Sequence, residues 1–107
     1  MKKISILYPQ STDSTFNFDY YINIHMPRSI SLLSKHSGFK GVSVEKGIAE
    51  VVPGTAIFYT AMCHFLFDSV ESFMEAFGPH ASELQNDMAN YTNIQPYIQF
   101  NEILILK

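Results

Sequence analysis

The run from Ala56 to Phe67 restricts the possible folds more than any other stretch of this chain. Read as a strand, it sends Ala56, Phe58, Thr60, Met62, His64 and Leu66 to one side and Ile57, Tyr59, Ala61, Cys63, Phe65 and Phe67 to the other. Both sets are mostly apolar, so both faces need cover from water. In 107 residues, 47% of them apolar, there is material for one core but little to cover a second sheet face.

The other elements fall into place around that strand. Lys3 to Pro9 reads as a short strand with Ile4, Ile6 and Tyr8 on one face. Gly41 to Gly47 is a half-exposed strand with Val42 and Val44 inward, and Ala49 to Thr55 is a loop. Tyr97 to Leu106 is a last strand. Between the first two strands, Asn17 suits a helix N-cap and Asp19 suits the positive end of the helix dipole. Phe18, Tyr21, Ile22, His25, Ser29, Leu32 and Leu33 then recur at steps of three and four, to about Lys35 or His36. Pro27 lies inside this helix and cannot bond the carbonyl of Asn23, so a kink or loosened turn is expected there, with Gly38 as the stop. Asp68 and Glu71 have the spacing of a capping box for a short helix with Val70, Phe73, Met74 and Phe77 as its core stripe. Gly78 and Pro79 end it, and His80 to Ala89 forms another.

Strand, helix, strand, strand, helix, strand is the order of a split βαβ unit. The fold expected is α+β: a ferredoxin-like sandwich forming a single domain over residues 1–107, with a four-stranded antiparallel sheet and helices on one face. The opposite face would be open, yet the long strand is apolar there too. A large exposed apolar face is uncommon on a monomer, and the simplest cover is a second copy, so a homodimer through the sheet faces is expected.

A net charge of −3 argues against general nucleic-acid binding, which needs a basic surface to neutralise phosphates. The lone Cys63 fits a reducing compartment, and no apolar run reaches the ~20 residues of a membrane span, so a cytoplasmic protein with no membrane partner is expected. His25, His36, His64 and His80 show no metal-ligand spacing, and Cys63 and His64 point to opposite faces of their strand. No metal and no cofactor are expected. His25 is the residue with chemical promise: it lies on the buried stripe one turn after Tyr21, whose hydroxyl could orient it. Asp87, Asp19 and Glu83 are the carboxylates that could set its tautomer, and imidazole titrates where a general base is useful. The competing reading is a core histidine that donates to the carbonyl freed by Pro27.

Tyr20, Tyr21, His25, Met26 and Pro27; then Phe67, Asp68, Ser69, Val70, Glu71 and Phe73; then Ala76 through His80; then Asp87 through Thr92 with Ile94 and Pro96: these four pieces, in order, resemble the EthD family along essentially the whole chain. The resemblance implies a dimeric α+β barrel, two ferredoxin-like sheets packed face to face. It maps the family's recurrent His and Asp onto His25 and Asp87, and places Arg28 where Leu is usual. Relatives in the wider superfamily imply cofactor-independent oxygenase, dehydratase or isomerase chemistry. The expectation is a small hydrophobic or aromatic ligand held between helices and sheet. His25 would be the acid/base, Asp87 and Tyr21 its polar partners, and Phe58, Met62 and Phe77 the walls. The alternative is a non-catalytic ligand-binding or accessory homodimer in a degradation pathway.

Overall fold

A computed structural model describes residues 1–107. Strands β1 (Lys2–Pro9), β2 (Phe39–Lys46), β3 (Tyr59–Phe67) and β4 (Tyr97–Glu102) form one antiparallel sheet in the order β2-β3-β1-β4. The helices all lie on one face, giving the ferredoxin-like α+β sandwich. Under them, Ile4 and Tyr8 of β1 and Ala61, Cys63, Phe65 and Phe67 of β3 form the buried floor of the core.

Two strands are shorter than the sequence pattern suggests, and pairing explains both. β3 begins at Tyr59, opposite Pro9, where β1 ends. β4 ends at Glu102, opposite Lys2, where β1 begins, and the Ile103 amide makes a last bond to the Met1 carbonyl. Apolar residues continue past these points, but a strand ends where its neighbour does. Phe58, Leu104, Ile105 and Leu106 are accordingly exposed. On the helix-free face of β3, Met62, His64 and Leu66 are half-buried. His64 bonds Ser5 there, with Ser5 Oγ 2.7 Å from Nδ1.

The first helical segment has three parts: α1 (Phe18–Tyr20), a π-helical turn (Tyr21–His25) and α2 (Met26–Leu33). Asn17 caps it as expected, its side-chain oxygen accepting from the Tyr20 amide at 3.1 Å. The loosened turn ahead of Pro27 takes the form of the π turn, with the Met26 amide reaching back to the Tyr21 carbonyl. Such wide turns are rare and gather at functional sites. The extra residue in the turn also alters the buried stripe. Tyr21, His25, Ser29, Leu32 and Leu33 face inward as expected, but Met26 joins them and Ile22 is half exposed. Gly38 is no left-handed stop. It leaves room for the next helix, because a Cβ there would sit 2.6 Å from both Asp68 Oδ1 and Ser72 Cβ.

Helix α3 (Val70–Phe77) starts one residue later than the Asp68–Glu71 spacing implies: Ser69 is its cap and accepts from the Ser72 amide at 3.0 Å. A 3₁₀ turn (Gly78–His80) leads into α4 (Ala81–Asp87), and a second 3₁₀ turn (Met88–Asn90) follows. The last two put Asp87, Asn90 and Tyr91 beside the π turn. No helix is long and apolar enough to cross a membrane.

Candidate functional site

Between sheet and helices lies a cavity of about 340 Å³. Ile6, Tyr8, Cys63, Phe65 and Ile98 of the sheet form its floor. Tyr21, His25, Met26, Ser29, Phe73, Phe77, Leu84, Met88 and Tyr91 are its walls, and Gln85, Gln95 and Pro96 also line it. A mostly apolar hollow with few polar groups is the usual form of a small-molecule site.

His25 is buried, at 7% exposure, and its two ring nitrogens have different tasks. Nδ1 lies 2.9 Å from Asp87 Oδ2. The other carboxylate oxygen, Oδ1, accepts from the Tyr20 hydroxyl at 2.6 Å and from Asn90 Nδ2 at 2.9 Å. Burial alone would raise the Asp87 pKa, but the bonds from Tyr20, Asn90 and His25 outweigh it and hold the carboxyl below its ordinary value. An ionised carboxylate only accepts, so Nδ1 carries the proton, and in the neutral imidazole Nε2 is the acceptor. The phenol of Tyr20 is pushed up chiefly by its bond to Asp87.

Nε2 in turn faces Tyr91 Oη at 3.5 Å, the outer limit of a hydrogen bond, and Tyr91 Oη lies 2.8 Å from Tyr8 Oη. With the neutral imidazole accepting at Nε2, the donors run Tyr8 to Tyr91, Tyr91 to His25, His25 to Asp87. Desolvation raises the phenols of Tyr8, to about 12, and Tyr91, so both stay protonated near neutral pH. Cys63 also lines the cavity, but burial lifts its thiol to about 12. It is a packing residue, since the thiolate is the nucleophilic form.

Of the three expected site residues, His25 and Asp87 are brought together in direct contact. Tyr21 is present, but its ring rather than its hydroxyl meets His25: the rings stack at 5.9 Å with planes 14° apart. The Tyr21 hydroxyl is fully buried, lies near Tyr8 and Cys63, and finds no partner in hydrogen-bonding geometry. The hydroxyls that do reach the His25–Asp87 pair belong to Tyr20 and Tyr91. Asp19 and Glu83 are not partners of His25, and Glu83 instead holds Arg28 through two bonds of 2.8 and 3.1 Å. Among the expected walls Phe77 lines the cavity. Phe58 does not, because it precedes β3 and is 68% exposed, and Met62 does not, because it points to the helix-free face. Sequence reasoning left Tyr8, Tyr20, Asn90 and Tyr91 without roles. A signal was available for Tyr91, which lies four residues after Asp87 and so on the same side of a helix.

No curated protein matches the chain. Among solved structures, an EthD-like protein of Ralstonia eutropha is 35% identical, with a TM-score of 0.91 over 99% of this chain and 94% of the other. An EthD family protein of Bacillus halodurans is 22% identical, with a TM-score of 0.70 over 97% and 99%. SnoaB, a cofactor-independent oxygenase of Streptomyces nogalater, is 9% identical, with a TM-score of 0.60 over 98% and 93%, which is a likeness of fold. The EthD domain family matches residues 9–95. The chain belongs to the EthD family.

Proposed function

We propose that this EthD protein binds a small hydrophobic or aromatic molecule in the cavity between sheet and helices, and that His25 moves a proton on it as general acid/base. The observation that carries the reading is the division of labour on one imidazole. Nδ1 is tied to a carboxylate held by two further donors, while Nε2 meets only the Tyr91 hydroxyl at 3.5 Å and the ring lines a mostly apolar cavity. Asp87 fixes the tautomer and stabilises the imidazolium formed when Nε2 takes up a proton. Tyr21 serves through its stacked ring, which limits the tilt of the imidazole. The protein works as a homodimer in which the helix-free faces cover each other. In favour of this, Leu7, Met62, Leu66 and Tyr97 share that face by register. The oxygenase, dehydratase and isomerase reactions suggested by the wider superfamily each involve moving a proton on the substrate, the step assigned here to His25.

The cavity assignment is tested with N-phenyl-1-naphthylamine, an uncharged probe that fluoresces in apolar surroundings. Fluorescence should rise with the wild-type protein and fall to background with Leu84→Trp, which fills the cavity from α4. Fluorescence that survives this replacement in a folded protein would place the ligand elsewhere.

A further inference from the structure

The acid/base reading of His25 can be taken further, to the class of compound it acts on, because the cavity also has a polar anchor. Its lining contains no Lys, Arg, Asp or Glu. A carboxylate or phosphate entering it would lose its water and find no permanently charged partner, and Asp87 already neutralises His25 when that ring is protonated. Its floor and walls offer aromatic rings on several sides, with Phe65, Phe73, Phe77 and Tyr8 among them. The donor chain from Tyr8 through Tyr91 to His25 Nε2 has one slack link, the 3.5 Å contact between Tyr91 Oη and Nε2. A ligand atom inserted there would receive the Tyr91 proton and lie beside the free lone pair of His25.

We propose that the ligand is an uncharged ring compound with one carbonyl or phenolic oxygen, that this oxygen docks on the Tyr91 hydroxyl in place of the slack contact, and that the reaction begins by enolisation. His25 Nε2 takes the proton from the carbon next to the carbonyl. The C–H electron pair becomes the carbon–carbon double bond, and the carbonyl π pair moves onto oxygen. That oxygen accepts a hydrogen bond from Tyr91, which Tyr8 supports from behind. The imidazolium is held by Asp87, and return of the proton to the same or a conjugated carbon completes a redox-neutral cycle. Burial keeps the Tyr8 and Tyr91 phenols protonated, so they act as donors and leave the base role to His25.

The test uses 2-tetralone, an enolisable bicyclic ketone, in deuterated buffer, with loss of its α-proton NMR signals as the readout. The wild-type protein should accelerate exchange. Tyr91→Phe keeps the ring but should lower that rate tenfold or more while binding naphthalene, which has no oxygen, as wild type does. Independently of any variant, wild-type protein should bind 2-naphthol more tightly than naphthalene and should not bind the anion 2-naphthoate. Wild-type exchange rates in Tyr91→Phe, 2-naphthoate binding equal to that of 2-naphthol, or wild-type protein no faster than buffer would each overturn the proposal. Exchange that persists in His25→Ala would instead overturn the acid/base reading on which it rests.

Discussion

Oδ2 of Asp87 lies 2.9 Å from Nδ1 of His25 across a sequence separation of 62 residues, and the same carboxylate is held from its other side by Tyr20 and Asn90. A structural histidine needs one partner for its proton. Here the partner is itself fixed by two more donors, which sets ring orientation and tautomer together. Nδ1 therefore bonds a carboxylate and not the carbonyl freed by Pro27.

Asp87→Asn keeps the shape and removes the charge. Exchange of 2-tetralone should fall tenfold or more, because the imidazolium loses its counter-ion. Hydrogen bonds to charged groups are worth about 1.5–3 kcal/mol, and Asp87 is partly exposed, so a stability loss near the lower figure is expected in urea titrations. A rate unchanged from wild type would remove Asp87 from the chemistry.

Asp87 also sets an acid limit. Its folded-state pKa is depressed below the ordinary 3.8, so the unfolded chain takes up its proton first as pH falls. The stability it contributes is fully present above the ordinary carboxylate range and is lost as pH drops through its native value. Urea midpoints measured between pH 2.5 and 6 should fall more steeply for wild type than for Asp87→Asn, the curves converging at the acid end. Parallel curves would contradict this.

The Tyr21 hydroxyl is buried without a partner, a state that costs free energy. Tyr21→Phe removes the hydroxyl and keeps the ring that stacks on His25. Stability should be unchanged or rise by up to about 1 kcal/mol, with the 2-tetralone rate near wild type, as read from melting curves and NMR. A large loss of rate would return the Tyr21 hydroxyl to the proton chain.

The contrast between Tyr20 and Tyr21 shows what the sequence could and could not reveal. Hydrophobic periodicity was enough for the four strands, the helices, their order and the inward position of His25. Family resemblance singled out Asp87 from the three carboxylates that could set the tautomer of His25. Neighbouring residues on a helix point ~100° apart, so deciding which tyrosine reaches Asp87 requires the phase of the helix. The π turn sets that phase, and Pro27 signals only that some turn must loosen. Strand ends were illegible for a related reason: β3 and β4 stop where β1 stops, not where their own apolar residues do. At the start of α3, Asp68 and Ser69 are both good caps by residue type; the Asp68 amide is bonded to the Gly38 carbonyl, and Ser69 takes the cap.

Assembly is open to a direct check. Light scattering at micromolar concentration should give twice the 12.2 kDa chain mass. Placing lysine at Leu7 and Met62, paired neighbours on the helix-free face, should halve that mass without unfolding the chain. A wild-type monomer would show that the face needs no second copy.

The most direct test of the central claim is a long-range ¹H–¹⁵N spectrum of the His25 ring, recorded in mildly alkaline buffer with and without 2-naphthol. The free protein should show Nδ1 protonated and Nε2 bare, and ligand binding should move the Nε2 signal while Nδ1 stays bonded to Asp87. A proton on Nε2 in the free protein, or a His25 signal that ignores a bound ligand, would contradict the account.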